Sequence, residues 1–417
     1  MTGHTSPTKT SLALRIWLLA LGMFAIGTDL FIVSGLLPAL SRDLHLSTAA
    51  AGQTVTAFAI TYAVAAPILA GVTARVDRRV LLLAVLTVFA AGNVLSALAA
   101  SYWVLLVSRV VAGLGAALFA ATASATAVRI TTPERRGRAL AIVYAGMTSA
   151  IALGVPLGNV IGAALSWRWA FGFVAALAVL TAAGLWVSLP GLPGSAGASI
   201  GERLAAVRIR RAPTALLGTA LWVLGTFVVY TYLGTLLDNI THASEDVRPW
   251  LLLLFGIGSF AGVLVGGRIA DRFDPNASLI VSIGLLAVVL AGLGLAVHSV
   301  PGVAIGSALW GLVHWCSFPL IQHRLLAIGG ARGDMLLALN NSAVYLGQTG
   351  AAVLGGLFAD SGMLGGLPFV GVAAELLALL TLALNIRAAR PAPAVDSPDL
   401  DAASQGKTAA ITRAEQI

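Results

Sequence analysis

Twelve long apolar runs follow one another along the chain and decide what it can fold into. Each is about 20 residues or longer, the length of a helix that crosses the hydrocarbon of a bilayer. Of the 417 residues, 58% are hydrophobic and only 10% are charged, whereas soluble domains carry about 25% charged residues. The runs are continuous rather than alternating, which excludes a β-barrel. The sequence therefore predicts an all-α integral membrane protein with twelve transmembrane helices.

The twelve runs divide into two sets of six. The first set of predicted spans is 15–40, 49–70, 80–100, 103–128, 139–164 and 168–189. The second set is 214–237, 249–270, 277–297, 301–323, 336–358 and 366–387. We expect an N-terminal bundle at 15–189 and a C-terminal bundle at 214–387, joined by a cytoplasmic central loop at 190–213. The polar ends, 1–14 and 388–417, are expected to be disordered and cytoplasmic.

The basic residues predict how the chain lies across the membrane. With a cytoplasmic N-terminus, 21 of the 25 Lys and Arg residues fall in segments on the inner side. Only Arg42, Arg168 and Arg248 fall on the outer side, and Arg109 lies inside a span. By the positive-inside rule, we expect both termini to be cytoplasmic, in a bacterial inner or plasma membrane. The same asymmetry accounts for the net charge of +8 without a nucleic-acid surface.

The second half of the chain repeats the first. Residues 71–79, GVTARVDRR, follow the second span, and residues 267–274, GRIADRFD, follow the eighth. The two segments align at a constant offset of 196 residues. A duplicated six-span unit is the plan of secondary transporters, in which two bundles surround a central cavity. The halves are therefore expected to be pseudo-symmetric.

A glycine-rich stretch at 145–162, in the fifth span, combines a smooth helix face with a proline. Four glycines recur at intervals of eight, four and four residues: Gly146, Gly154, Gly158 and Gly162. This spacing places them close to one face of a helix, where a second helix can approach closely. Pro156 lacks a backbone N–H, so the helix is expected to be kinked or weakened there.

Three further stretches, together with the loop at 71–79, carry a family resemblance. The first span reads GTDLFIVSGLLP over 27–38, the fourth reads RVVAGLGAA over 109–117, and the glycine stretch runs on into WRWAF at 167–171. These segments resemble motifs of the major facilitator superfamily, in its drug/proton antiporter branch with twelve spans. The likeness extends to about residue 387 and is greatest to bacterial chloramphenicol-exporter and sugar-efflux types. The branch usually has Glu where this chain has Asp29.

The resemblance implies proton-coupled efflux of small lipophilic or neutral compounds, such as antibiotics, by alternating access. It implies that the glycine face of the fifth span seals and slides between the bundles. It also implies a cytoplasmic gate at the two repeated loops, where an acid pairs with arginines. The gate residues so assigned are Gly71, Asp77, Arg78, Arg79, Gly267, Asp271 and Arg272. Arg75 stands where the first loop usually has its acid, and Asp77 could take its place.

Asp29 and Arg109 are the charged residues best suited to proton coupling. An ionisable side chain inside a span is costly and marks a functional site by default. At 1.5 Å per residue, Arg109 lies about 9 Å and Asp29 about 16 Å from the same end of their helices. The resemblance implies that the first and fourth helices are neighbours, so that an arginine could bridge the difference. We therefore expect the two residues to coordinate a site where proton and substrate influence each other. The alternatives are a structural or interfacial acid and an arginine that snorkels outward.

Other polar residues inside spans are further candidates. Glu375 is either a second protonation site or a lone acid held neutral. Polar residues with helical spacing predict the lining of a substrate cavity, or else hydrogen bonds between helices. The residues so assigned are Gln53, Tyr230, Tyr232, His314, Asn341, Tyr345 and Gln348. Their aromatic and amide groups suit uncharged or amphipathic molecules.

Motifs of other functional classes are absent from the sequence. There is no GxxxxGK[ST] phosphate loop, no zinc-ligand spacing and no channel filter, so we expect no enzyme activity, metal site or cofactor. The energy source is expected to be the proton gradient. The expected partners are the lipid bilayer, protons and a small-molecule substrate, without nucleic acid, and the chain is expected to be a monomer. A sugar or metabolite permease of the same fold, for efflux or uptake, is the alternative function.

Overall fold

The protein is built from long α-helices that follow one another along the chain. The computed structural model describes residues 9–132, 135–194, 201 and 206–388. Twelve helices in this part of the chain are long and apolar enough to cross a membrane, as the sequence predicts. The described residues contain no strand. The predicted all-helical architecture is therefore confirmed.

The helices follow the predicted order. In the first half they are α1 (Lys9–Asp43), α2 (Thr48–Val72), α3 (Arg78–Ala97), α4 (Tyr102–Ile130), α5 (Arg136–Ala164) and α6 (Trp167–Ser188). In the second half they are α7 (Ala212–Asn239), α8 (Arg248–Arg272), α9 (Pro275–Ala296), α10 (Val300–Gly329), α11 (Gly333–Asp360) and α12 (Leu367–Arg387). α7 is interrupted between Tyr230 and Leu233.

Several helices extend past the predicted spans. α1 begins at Lys9, so residues 9–14 are helical rather than disordered as expected. α10 ends at Gly329, and the next residue, Gly330, has a φ of 52° that suits glycine. Apolar composition marks only the part of a helix that suits hydrocarbon. Backbone hydrogen bonding continues into the polar flanks until a residue such as glycine stops it.

Parts of the expected loop and ends lie outside the described residues. They are 1–8, 195–200, 202–205 and 389–417. Within the central loop expected at 190–213, the structure describes a short 3-10 turn at Ala206–Arg208 and the start of α7 at Ala212.

Helices α1–α6 form one group and α7–α12 form the other. The main contacts between these halves join α1 to α7, α2 to α11 and α5 to α8. In the internal repeat, α2 corresponds to α8 and α5 corresponds to α11. The contact of α2 with α11 is therefore equivalent to the contact of α8 with α5. This is the pattern that two pseudo-symmetric bundles produce.

The halves meet closely at one end of the structure. We call the end that carries the loop at 73–77 the basic end, and the other the opposite end. At the opposite end, Asp360 of α11 accepts hydrogen bonds from Ser47 Oγ at 3.0 Å and from Ala49 N at 3.1 Å. These bonds tie the start of α2 to the end of α11.

One ion pair at the opposite end joins equivalent positions of the two halves. Arg42 Nη1 of α1 lies 3.4 Å from Asp238 Oδ2 of α7. The two residues are 196 positions apart, which is also the offset between the repeated loops. Because equivalent residues touch, the pair lies beside the axis that relates the halves.

The predicted weakness of the fifth span is a π-turn. Residues Ala150–Gly154 of α5 form a π-helical segment, in which Val155 N bonds to Ala150 O. The segment comes directly before Pro156, whose missing N–H interrupts the regular α-helical pattern. The expectation of a locally altered helix is confirmed.

The glycine face of α5 lies against α1, inside the first half. Added Cβ atoms on its four glycines would come within 2.5 Å of Ala20 O, Thr28 Oγ1, Ile32 Cδ1 and Leu36 Cδ2. The expectation that this face seals the contact between the halves is therefore wrong in this structure. The glycines let α1 approach, and the contact with the second half uses another side of α5.

A glycine of the partner helix makes that contact between the halves. An added Cβ on Gly256 of α8 would lie 2.4 Å from Ile151 O and 2.7 Å from Ala152 Cα. The backbone of α8 therefore lies directly on the π-turn of α5.

We expect Gly256→Leu to lower the thermal stability of the protein in detergent. Its side chain would meet backbone atoms of α5, and such overpacking costs about 1–3 kcal/mol. Gly292→Leu on α9 is the matched control, because an added Cβ there meets nothing within 4 Å. Equal melting temperatures for Gly256→Leu and the control would contradict the contact.

Candidate functional site

A buried ion pair joins α1 and α4 inside the first half. Arg109 Nη1 lies 2.7 Å from Asp29 Oδ1, and the side chains are 1% and 0% exposed. The structure thus brings together the two residues that the sequence places at comparable depth. Arg109 does not snorkel outward. Breaking a buried pair by removing one partner costs about 3–5 kcal/mol, so each charge depends on the other.

The pair uses only part of its hydrogen-bonding capacity. Asp29 Oδ2 and Arg109 Nε are buried and have no hydrogen-bond partner among the described residues. The guanidinium is covered by rings instead, with its Cζ 4.7 Å from the centre of Phe58 and 5.3 Å from that of Phe171. These cation–π contacts stabilise the arginine away from water. Asp29 Oδ2 is therefore available for a proton while Oδ1 faces Arg109.

Small residues fix the position of α1 around Asp29. Gly154 of α5 lies so close to Thr28 that an added Cβ would be 2.0 Å from its Oγ1. In return, an added Cβ on Gly27 would be 2.8 Å from Ala150 Cβ. α1 and α5 are therefore packed tightly at the residues directly before Asp29. This packing fixes the position of the Asp29 carboxyl group along the axis of α1.

Aromatic side chains meet where the two halves face each other. Phe31 of α1 contacts three rings of the second half, with ring centres 5.8, 5.9 and 6.3 Å away: Phe227, Tyr230 and Trp315. We call these four residues the aromatic cluster. Trp315 Nε1 is buried without a hydrogen-bond partner among the described residues. The cluster offers flat apolar surfaces and one unused donor.

A second aromatic contact joins the halves between α2 and α11. The rings of Tyr62 and Tyr345 stack with centres 3.7 Å apart. One turn nearer the basic end, Ser342 Oγ donates to Ala63 O at 3.0 Å. The halves are therefore in contact from the opposite end to the level of these tyrosines.

The predicted cavity residues occupy different settings. Tyr230 and Tyr345 lie in the two aromatic contacts between the halves. Asn341 is exposed and lies on the same face of α11 as Tyr345. The exposed Leu346 lies about 140° around the helix from Asn341, so it belongs to a different face. Gln348 is buried, and its Oε1 has no partner among the described residues. These four residues fit a surface between the halves.

Tyr232 has a structural role instead. It is buried at the interruption of α7, and its hydroxyl donates to Ala352 O of α11 at 2.5 Å. The same hydroxyl lies against Gly52 of α2, where an added Cβ would be 2.0 Å away. The cavity assignment of Tyr232 is therefore wrong, and the alternative, a hydrogen bond between helices, applies. Gln53, beside Gly52, is half-buried.

His314 belongs to a hydrogen-bonded stack. Its ring lies 4.1 Å from that of Trp222, with 11° between the planes. Its Nδ1 is 2.8 Å from Thr226 Oγ1, which accepts from Trp310 Nε1 at 3.2 Å. The Thr226 hydroxyl therefore bridges the indole of Trp310 and the imidazole of His314. Stacking and this bridge favour a packing role for His314 over cavity lining.

Glu375 lies inside the second half, in α12. It is 0% exposed, and both carboxyl oxygens lack a partner among the described residues. An added Cβ on Gly225 of α7 would be 2.5 Å from its Oε1. Gly225 is 196 positions after Asp29, so each half places a carboxyl group at the same level, from different helices. Among the described residues, only the carboxyl group of the first half has an arginine partner.

The acids of the repeated loops cap helices. Asp77 Oδ1 accepts from Arg79 N at 2.9 Å and so caps α3. Asp274 Oδ1 accepts from Ala277 N at 2.8 Å and caps α9. Neither Asp77 nor Asp271 forms an ion pair with another described residue. Among the described residues, Asp77 and Asp271 therefore do not form the ion pairs expected of them.

The start of the central loop lies across the first repeated loop instead. Arg78 N donates to Leu192 O at 2.8 Å, and Arg129 Nη1 donates to Pro193 O. Gly194 is so close that an added Cβ would lie 2.3 Å from Arg75 C. Backbone carbonyls of the linker thus bond to the backbone of the first repeated loop and to the side chain of Arg129.

Sequence reasoning missed Phe31 and Trp315. Each is next to, or within two residues of, a residue singled out for its polarity, but aromatic residues are common in apolar spans and give no signal of their own. The described residues contain no group of three or more His, Cys, Asp or Glu side chains that could hold a metal.

Comparison of the sequence with family profiles shows which family it matches. The profile of the Major Facilitator Superfamily matches residues 19–332. The MFS-type transporter YbcL of Bacillus subtilis, itself uncharacterised, is 32% identical over 88% of this chain and 94% of that protein.

Two other relatives have functional names. A chloramphenicol resistance protein of Streptomyces lividans is 36% identical over 62% of this chain and 67% of that protein. A probable sugar efflux transporter of Helicobacter pylori is 28% identical over 88% of this chain and 94% of that protein. Among solved structures, a D-xylose–proton symporter shares the fold with a TM-score of 0.72, at 18% identity, over 89% of this chain and 97% of that one.

We expect Arg109→Gln to destabilise the protein by about 3–5 kcal/mol at neutral pH, because it leaves the charge of Asp29 buried and unpaired. Asp29→Asn should have a comparable effect on Arg109. The double variant should be more stable than the sum of the two changes predicts, since it removes both charges. Melting temperatures in detergent measure this cycle, and strict additivity would contradict the pairing.

We expect Gly154→Leu to disturb the Asp29–Arg109 pair through Thr28. If so, the extra destabilisation that Arg109→Gln causes should shrink in the Gly154→Leu background, because the pair is already weakened. Leu153→Ala, at an exposed position of the same π-turn, is the control. An undiminished effect of Arg109→Gln would show that α5 does not position Asp29.

Proposed function

The chain belongs to the Major Facilitator Superfamily, and on this basis we propose that it exports small neutral or lipophilic compounds, such as antibiotics, in exchange for protons. Membership makes it a multi-pass membrane transporter and not an enzyme. One observation carries the proposal of proton exchange: the buried Asp29–Arg109 pair, in which Asp29 Oδ2 has no partner among the described residues.

The proton would act by breaking the pair. A proton on Asp29 Oδ2 neutralises the carboxylate and removes the counter-charge of Arg109. Phe31, two residues further along α1, contacts rings of the second half. A shift of α1 that follows protonation would therefore move Phe31 within the aromatic cluster. Protonation from outside would release the substrate, and loss of the proton inside would restore the pair and permit rebinding.

Alternating access would occur by rocking of the two halves. The contacts described between them lie at the opposite end and at the level of Tyr62 and Tyr345. If the basic end is cytoplasmic, as the distribution of arginines predicts, this arrangement corresponds to an inward-facing state. The rocking motion would then open the contacts of Asp360 with α2.

The proton gradient would supply the energy. One charge that crosses the membrane yields about 2.3 kcal/mol per 100 mV, and each pH unit adds about 1.4 kcal/mol. Together these allow concentration ratios of tens to hundreds per proton exchanged.

The substrate class follows from the groups between the halves. The aromatic cluster supplies flat surfaces, and Trp315 Nε1 and Gln348 Oε1 supply one unused donor and one unused acceptor. Neither group is charged, which favours an uncharged molecule with a ring and a polar substituent. The name of the Streptomyces lividans relative, a chloramphenicol resistance protein, agrees with such a substrate.

Sugar or metabolite transport is the second candidate. It is favoured by the Helicobacter pylori relative, a probable sugar efflux transporter, and by the unused hydrogen-bonding atoms of Asn340 and Gln348. Sugars stack on aromatic rings through their apolar faces and need many hydrogen bonds. The two candidates therefore differ in how many polar groups the site must offer.

We expect the wild-type chain to protect an efflux-deficient bacterial host against chloramphenicol or another neutral antibiotic. In proteoliposomes, addition of that compound should release protons or take them up. Asp29→Asn should abolish both effects when each is divided by the amount of folded protein in the membrane, since the variant is also less stable. Protection without proton movement would contradict antiport.

Two further arms make the experiment decisive. Proton movement on addition of D-xylose or D-glucose, with no antibiotic protection, would favour the sugar candidate. Glu375→Gln separates the two buried acids: if Asp29 is the only proton carrier, this variant keeps coupled transport. Loss of coupling in Glu375→Gln would assign a second protonation site.

A further inference from the structure

Two arginines converge on one asparagine at the basic end of the second half. Arg324 Nη2 of α10 donates to Asn385 Oδ1 of α12 at 2.5 Å, and Arg211 Nε donates to the same oxygen at 3.2 Å. Asn276 Oδ1, near the start of α9, accepts from Arg324 Nε at 2.8 Å. The amide of Asn385 is fixed in turn, because its Nδ2 donates to Thr214 Oγ1 at 2.5 Å. Four helix ends therefore meet at these side chains, which we call the arginine site.

Among the described residues, the arginine site has positive charge without a matching negative charge. Arg211 and Arg324 bond to neutral amide and carbonyl oxygens, and neither forms an ion pair with a described residue. Two guanidinium groups that share one acceptor also repel each other. An anion beside the two guanidinium groups would offset this repulsion.

Burial makes the missing charge important. Arg324 is only 7% exposed, whereas arginines that merely mark the cytoplasmic side keep their charged heads in water. It also lines a narrow crevice between α7, α9, α10 and α12, with aliphatic walls that include Leu279, Ile283 and Leu382. Its charge is therefore held against apolar side chains rather than screened by solvent.

We propose that the arginine site binds a phosphate group, and that an anionic phospholipid of the inner leaflet supplies it. Guanidinium groups are the best partners for phosphate oxygens, because their fork of N–H donors matches them. Basic pockets between transmembrane helices at the cytoplasmic side are typical sites for anionic headgroups. The site lies at the basic end, where α7 begins and α12 ends, which is the level of lipid headgroups. This proposal does not depend on proton coupling or on the transported substrate.

The test measures lipid binding to the delipidated full-length protein in detergent. We expect phosphatidylglycerol to raise the melting temperature by several degrees at saturation, and phosphatidylethanolamine to have little effect. Arg324→Gln should weaken phosphatidylglycerol binding at least tenfold. Arg268→Gln, an exposed arginine at the same end, is the matched control and should bind as the wild type does.

Asn385→Asp gives an independent test that does not remove an arginine. It places a carboxylate where the oxygen shared by Arg211 and Arg324 now lies. We expect the variant to lose its response to phosphatidylglycerol, because the counter-charge is then internal. Such a loss in a protein that still melts cooperatively supports the proposal even if Arg324→Gln fails to fold.

Three results would overturn the proposal. The first is equal stabilisation by phosphatidylglycerol and phosphatidylethanolamine. The second is an unchanged phosphatidylglycerol response in both Arg324→Gln and Asn385→Asp. The third concerns the source of the phosphate: millimolar inorganic phosphate that stabilises the protein as much as the lipid does would assign a soluble anion instead.

Discussion

A single ion pair, buried where neither charge can reach water, is the interaction on which the first half depends. Arg109 and Asp29 depend on each other because each is the only opposite charge that the described residues place beside the other. That need holds α4 against α1. The glycine face of α5 then matters because it lets α1 come close enough for the pair to form, and α1 in turn carries Phe31 to the second half. The ion pair, the packing of α5 on α1 and the contact of α1 with the second half therefore depend on one another.

The two halves share a plan but distribute their polar groups differently. The first half neutralises its buried acid with an arginine, whereas the second holds Glu375 at the equivalent level without a partner among the described residues. In place of an ion pair, the second half has the stack of His314 and Trp222 with its bridging hydroxyl. The first half therefore holds a buried ion pair, and the second half holds a hydrogen-bonded aromatic stack.

Much of the fold follows from the sequence, because apolar length, basic loops and a repeat are properties of whole segments. The pairing of Asp29 with Arg109 could also be predicted, since residue counts give their depth and the family resemblance implies that their helices are neighbours. The direction in which a helix face points is harder to predict. The glycines of α5 indicate that another helix packs closely there, but they do not show which helix it is. Tyr232 shows the same limit, because a tyrosine in a cavity and one bonded to a neighbouring helix have the same local sequence. Only the arrangement of helices separates these cases.

The contact between Arg42 and Asp238 has a consequence for the origin of the chain. In a dimer of two identical six-helix units, symmetry would place the same residue at both positions, so two like charges would face each other. Opposite charges at equivalent positions require two copies that differ in sequence. Fusion of the halves into one polypeptide makes that difference possible, and it places the two complementary copies in the same molecule.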